Sequence, residues 1–174
     1  ILKETSIKVF NLDKLGYASN VVGIDNILKE IGENGDDRYE LLKVDLFNKN
    51  QTEEAIKHAD PDIIFHFAAE SHVDRSIDGP EAFINSNIVG TYNLLQAGLI
   101  HWENLSLERR KNFRFHHVST DEVYGSLGEK GTFSESTNYS PRSPYSATKA
   151  ASDHLVNAWH FTYGLPTILT NCSN

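Results

Sequence analysis

Short apolar runs alternate with amphipathic stretches along the chain. The run at 7–12 reads as a strand ending at Asp13. Val21, Ile24, Leu28 and Ile31 then recur at a helical period, which predicts a helix over 21–31. A second strand is expected over 39–44, ending at Asp45, and a short helix over 51–59. Ile63-Ile64-Phe65-His66-Phe67 is nearly continuous in apolar residues, the pattern of a strand buried on both faces. Ile84, Ile88, Tyr92, Leu95 and Leu99 form one stripe of a long helix over 80–99. A strand is expected over 113–118. Ser143 suits an N-cap and Pro144 a first helical position, so a second long helix opens there and runs to 161. A last strand covers 167–170.

Strand and helix in strict alternation imply crossover connections and a parallel sheet. The expected class is α/β, a Rossmann-like doubly wound parallel sheet in one domain spanning 1–174. No linker, low-complexity tract or internal repeat divides the chain. In open sheets of this kind, ligands bind beyond the carboxyl ends of the strands. That directs attention to Asp13, Asp45, the segment from Ala68 to Ser71, and the segment from Ser119 to Glu122.

Composition narrows the classes of function. The 174 residues suffice for one sizeable core, with 39% hydrophobic and 23% charged residues. The net charge of −8 and the absence of a Lys/Arg cluster argue against nucleic acid or an anionic membrane surface as partner. No apolar stretch approaches the ~18 residues of a membrane span, and no signal peptide is visible. Cys172 is the one cysteine, which fits a reducing, cytoplasmic setting and reads as a small core residue. The chain opens on Ile1-Leu2-Lys3-Glu4 without an initiator Met and reads as a fragment.

Asp13 stands where a dinucleotide fold places an acid on the adenosine ribose hydroxyls, an arrangement favouring NAD over its phosphorylated form. The same placement also suits a turn or cap residue. Asp45 repeats it at the next strand and is positioned for the adenine. Ala68-Ala69 leaves room for a cofactor backbone, or for close packing of sheet and helix. The glycine-rich phosphate loop belongs about 20 residues before such an acid. Only twelve residues precede Asp13, so that first strand and its glycine turn are expected to be missing. Gly125, Gly128 and Gly131 imitate the spacing, but Thr132-Phe133-Ser134-Glu135-Ser136 continues without a helical period. This stretch is expected to be a loop over the site.

Tyr145 and Lys149 lie four apart and share a helix face. A free phenol ionises near ~10. A nearby ammonium, with the positive nicotinamide of NAD, favours the phenolate, which can then take a hydroxyl proton. Thr120 can bond the same hydroxyl. Asp121 and Glu122 repel each other, so one can hold its proton while the other is ionised, giving an acid and a base in one site. The same pair also reads as a solvated turn. The histidines are read as structural or solvated. His116 and His117 face opposite sides of a strand, His154 and His160 diverge on a helix, and no metal site is expected.

Four segments together resemble a known family. They are Phe67-Ala-Ala-Glu-Ser-His-Val-Asp-Arg-Ser76, Asn87-Ile-Val-Gly-Thr91, Ser119-Thr-Asp-Glu-Val-Tyr-Gly125 and Tyr145-Ser-Ala-Thr-Lys149. In this order they resemble the extended short-chain dehydrogenase/reductases, and among these the dTDP-glucose 4,6-dehydratases. The resemblance runs over essentially the whole chain. It implies NAD as cofactor, a nucleotide sugar as substrate and a homodimer of the full-length protein through helices like 80–99 and 144–161. It implies that Asp13, Lys14, Leu15, Gly16, Asp45, Leu46, Phe67, Ala68, Ala69, Glu70, Ser71, Ser86, Tyr145 and Lys149 line the cofactor. It further implies that Ser71, Thr120 and Asn174 touch the substrate, that Tyr145 acts on the 4-hydroxyl with Thr120 beside it and Lys149 tuning it, that Glu122 removes the C5 proton and that Asp121 protonates the departing C6 hydroxyl. Epimerases of the same fold carry small or hydroxyl residues at the Asp121 and Glu122 positions. The resemblance also implies that a glycine loop and a C-terminal substrate domain are missing, so the fragment is expected to be inactive. Two alternatives are a sugar-nucleotide 4-epimerase and a non-catalytic dinucleotide-binding module.

Overall fold

A computed structural model describes residues 1–32 and 37–173. Among the described residues, five strands are joined by helical crossovers, seven α-helices in all, as a parallel sheet requires. β1 (Val9–Asp13) leads to α1 (Val22–Ile31), and β2 (Tyr39–Lys43) to α2 (Lys49–Ala59). β3 (Ile63–His66) is followed by two short helices, α3 (Val73–Asp78) and α4 (Pro80–Phe83). The latter continues without a break through a π-helical stretch (Ile84–Val89) into α5 (Gly90–Asn104). Then come α6 (Leu107–Asn112), β4 (Arg114–Thr120), a 3-10 turn (Asp121–Tyr124), α7 (Pro144–Tyr163) and β5 (Thr167–Cys172).

Local chemistry sets the helix ends. The Asn48 side chain accepts from Gln51 N, and α2 stops at Asp60 in a left-handed conformation. Ser143 and Ser146 cap each other at the start of α7, with Pro144 in the first turn. Helices α3 and α6, six residues each, carry too few periodic positions to show in the hydrophobic pattern.

All pairings are parallel, but the strands form two hydrogen-bonded groups, β1-β2 and β3-β4-β5, rather than the single sheet expected. Among the described residues, β1 and β3 make no backbone ladder with each other. A second expectation also changes. β3 is not buried on both faces: Ile64 and His66 are buried, whereas Ile63 and Phe65 are about half exposed. Its buried face meets α5, where a Cβ at Gly98 would lie 3.4 Å from both Ile64 Cδ1 and Phe115 Cδ2. The core gathers Ile64, Leu94, Leu95, Phe113, Phe115, Val156 and Leu165 on that side.

The apolar stripe expected over 80–99 is interrupted. Leu95 and Leu99 are buried, but Ile84 and Tyr92 are exposed. The wider π turn at Ile84–Val89 inserts an extra residue and rotates the side chains before it relative to those after it. Cys172 is exposed at the end of β5, not in the core, because β5 is the edge strand of its group. Among the described residues no helix is long and apolar enough to cross a membrane.

Candidate active site at the carboxyl ends of the strands

β4 delivers Thr120 to the carboxyl edge, and the chain turns at once. The Thr120 hydroxyl accepts from Glu122 N at 3.3 Å, which closes the 3-10 turn and holds Asp121 and Glu122 at its start. Asn171 on β5 braces the turn, donating to Thr120 O at 3.1 Å and accepting from the Tyr124 hydroxyl at 3.2 Å. Gly125 ends it at φ 92°. A Cβ there would stand 2.6 Å from Ser140 O, so only glycine fits both the conformation and the space.

The segment from 125 to 143 is a loop with no helix after Gly131, as expected for a chance glycine spacing. It is pinned rather than free. Ser140 N donates to Val123 O at 2.9 Å, and Tyr124 packs against Phe133 and Tyr139.

Tyr145 enters from the first turn of α7. It is buried, with Phe83 edge-on to its ring at 6.4 Å. Burial is the main influence pushing its phenol above the ordinary value. Thr120, by hydrogen bonding, opposes this, while the nearby Glu122 and Asp121 add to it. The Lys149 ammonium is itself buried and donates to Val118 O at 2.9 Å. Burial drives it down to about 8, against the pull of Asp153. Burial, then Asp121, also raises the Glu122 carboxyl. Thr120, Asp121, Glu122, Tyr145 and Lys149 thus converge at one edge.

The residues assigned to the cofactor lie along the same edge. Asp13 accepts from Leu15 N at 2.7 Å and from the Ser19 hydroxyl at 2.9 Å, so its carboxylate shapes its own turn, with Leu15 at φ 56° and Gly16 next in the chain. Asp45 does likewise, accepting from Phe47 N at 3.0 Å. Leu46 is buried, and its carbonyl accepts from Asn93. After β3, Phe67 and Ala68 are exposed, Ala69 and Glu70 half-buried, and Ser71 exposed. Lys14 Nζ bridges the ends of β1 and β3 through Glu70 at 2.6 Å and approaches Ser86 at 3.5 Å. Asn174 lies outside the described residues.

Asn87 was not singled out from the sequence as a site residue, although it begins one of the four motifs. It lies in the π-helical stretch and is buried. It accepts from Glu70 N at 2.8 Å and donates to Glu70 O at 3.0 Å and to the Thr148 hydroxyl at 2.9 Å. It therefore ties the loop after β3 to the helix turn that holds Lys149.

The histidines are structural where contacts are seen. His66 bonds Thr91 at 2.8 Å, and His116 bonds Thr170 at 3.0 Å. Among the described residues no group of three or more His, Cys, Asp or Glu is arranged to hold a metal ion.

The donor set suits part of a dinucleotide. Asp13 offers a carboxylate at a strand end, and Lys149 has ammonium hydrogens beyond the one given to Val118. Among the described residues no glycine-rich turn joins a strand to a helix; the link from β1 to α1 holds the single glycine Gly16.

The family model described as GDP-mannose 4,6 dehydratase matches residues 1–174. A dTDP-glucose 4,6-dehydratase of Xanthomonas campestris pv. campestris (strain B100) is 54% identical over 168 residues, 97% of this chain and 46% of that protein. Its counterpart in Salmonella typhimurium is 48% identical over 183 residues, covering 100% of this chain and 49% of that protein. A solved dTDP-glucose 4,6-dehydratase from Streptomyces venezuelae, with NAD bound, superposes with a TM-score of 0.79 at 38% identity, covering 97% of this chain and 47% of that one. The chain spans about half the length of the curated relatives it matches.

Proposed function

Because the chain belongs to the GDP-mannose 4,6-dehydratase family, we propose that it carries the catalytic residues of an NAD-dependent dTDP-glucose 4,6-dehydratase, a hydro-lyase. One observation carries this reading. The turn that bears Asp121 and Glu122 opens beside Tyr145, so the phenol and two carboxylates face one space.

Bound NAD would supply the hydride chemistry, oxidation at C4 of the sugar and reduction at C6. The chain's own residues move the protons. Tyr145 removes the proton of the 4-hydroxyl, with Thr120 as a second contact to that oxygen. Lys149 supplies the positive charge that favours the phenolate. The resulting 4-keto group acidifies the C5 proton, which Glu122 abstracts. Asp121 gives a proton to the C6 hydroxyl as it leaves as water. Glu122 is held on a turn capped by Thr120, and a base fixed within reach of its proton is what such a step requires. With the hydride restored at C6, Glu122 returns its proton to C5, and the product is a 4-keto-6-deoxy sugar.

Asp13, Lys14, Leu15, Gly16, Asp45, Leu46, Ser86 and the segment Phe67 to Ser71 would line the cofactor, and Ser71, Thr120 and Asn174 the substrate. We further propose that the whole protein is a homodimer. Ile84, Tyr92, Ile100, Phe161 and Tyr163 leave apolar surface exposed on the long helices.

The test uses the whole protein that carries this sequence and dTDP-glucose deuterated at C4. The reading expects deuterium at C6 of a keto-deoxy product. Label kept at C4 in an isomerised sugar would make it an epimerase. Absence of turnover with any nucleotide sugar would leave a non-catalytic dinucleotide-binding module.

A further inference from the structure

One buried carboxylate has no part in the proton transfers above. Asp153 lies one turn beyond Lys149 on α7 and is fully buried. Its Oδ2 accepts from Ser119 Oγ at 2.7 Å and from the Tyr139 hydroxyl at 2.8 Å. Its Oδ1 lies 3.1 Å from His117 Nε2, at an angle unsuited to a hydrogen bond, so neither atom has an aligned partner.

Residues four apart on a helix are neighbours on its surface. Asp153 and Lys149 are thus an acid and a base both withdrawn from water, one helical turn apart. Burying either alone is costly, and burying an ammonium without an opposite charge drives it to the neutral form.

The groups around them offer no substitute. On β4, burial holds His117 below its ordinary value despite Asp153, and on β3 it holds His66 well below. Neither supplies a competing positive charge. The Cys172 thiol on β5 favours the ammonium less than Asp153 does. Tyr145 shares the helix, Tyr124 and Tyr139 face Asp153 from the turn and the loop, and Asp121 and Glu122 face Tyr145.

We propose that Asp153 is a positioning residue: the buried counter-charge that keeps Lys149 protonated, with its carboxylate fixed by Ser119 and Tyr139. The purpose of that charge, favouring the Tyr145 phenolate, rests on the proposed function. The electrostatic coupling itself does not.

The experiment titrates Lys149 directly, by NMR of the whole protein with lysine labelled at its ε-carbon. The Lys149 signal is assigned by its loss in Lys149→Arg. Asp153→Asn keeps an acceptor for Ser119 and Tyr139 and removes the charge. It is expected to lower the Lys149 midpoint by about one pH unit or more. Tyr139→Phe removes one donor and leaves the charge more concentrated on the carboxylate, so it is expected to raise the midpoint. A residue that merely supports the fold would lower stability and leave the midpoint in place. An unmoved midpoint in Asp153→Asn overturns the proposal. Should that variant not fold, an unmoved or lowered midpoint in Tyr139→Phe does so. The titration needs no substrate, so its outcome is independent of whether the unsubstituted protein turns over dTDP-glucose.

Discussion

Tyr145 and Lys149 are both held against their ionised forms by burial, and the site's chemistry depends on what reverses that. Thr120 is the group in the chain that favours the phenolate by hydrogen bonding. Tyr145→Phe removes the proton acceptor and is expected to lower kcat on dTDP-glucose by about 10²–10⁴-fold, measured by product formation in the whole protein. The two carboxylates are separable by a second measurement. In heavy water, Glu122→Gln should lose exchange of the C5 proton altogether. Asp121→Asn should retain exchange at C5 while forming little dehydrated product. Equal loss of exchange in both variants would contradict the division of labour between them. The motif residues at this scale were legible in the sequence because Thr120, Asp121 and Glu122 are contiguous and Tyr145 and Lys149 are one turn apart. The raised phenol was not, because it comes from burial, which the spacing of residues does not reveal.

The π-helical stretch and the 3-10 turn are the elements that aim side chains into the site. Asn87 sits in the first of these, and its side chain makes three hydrogen bonds, two to the backbone of Glu70 and one to Thr148. Asn87→Ala leaves buried partners unmet and is expected to cost about 1–3 kcal/mol in a denaturant titration, with a rise in the KM for NAD. Gly125 closes the second element, and Gly125→Ala forces a left-handed conformation against Ser140 O. It is expected to cost of order 1–3 kcal/mol and to open the 125–143 loop to limited proteolysis. The paired strands β3 and β4 bring His66 and His117 side by side in the core, with ring centroids 5.1 Å apart. Both are held neutral by burial, so the unfolded chain binds more protons than the folded one below the ordinary histidine value near ~6.5. The stability they allow is present above that pH and is lost as pH falls through it. The urea midpoint should therefore drop below about pH 6.5, each histidine adding a slope of up to about 1.4 kcal/mol per pH unit. His66→Gln should flatten that slope.

Over the whole molecule, the covered and uncovered faces differ. Helices α5 and α7 cover one side of β3-β4-β5, while Ile63, Phe65 and Phe67 remain exposed on β3 and just beyond it. The sequence by itself determined the alternation of parallel strands and helices, the caps of α7, the positions of the acids at strand ends and the Tyr145/Lys149 step. These are written in periods and spacings of a few residues, where backbone geometry and side-chain chemistry act locally. Tertiary structure alone decided which strands pair, where the long helix widens and which distant groups meet. Lys14 meets Glu70 across 56 positions, Asn87 meets Thr148 across 61, and Ser119 meets Asp153 across 34. Such contacts arise from how the core packs, because burial and long-range hydrogen bonding depend on the assembled fold and leave no short-range pattern to read.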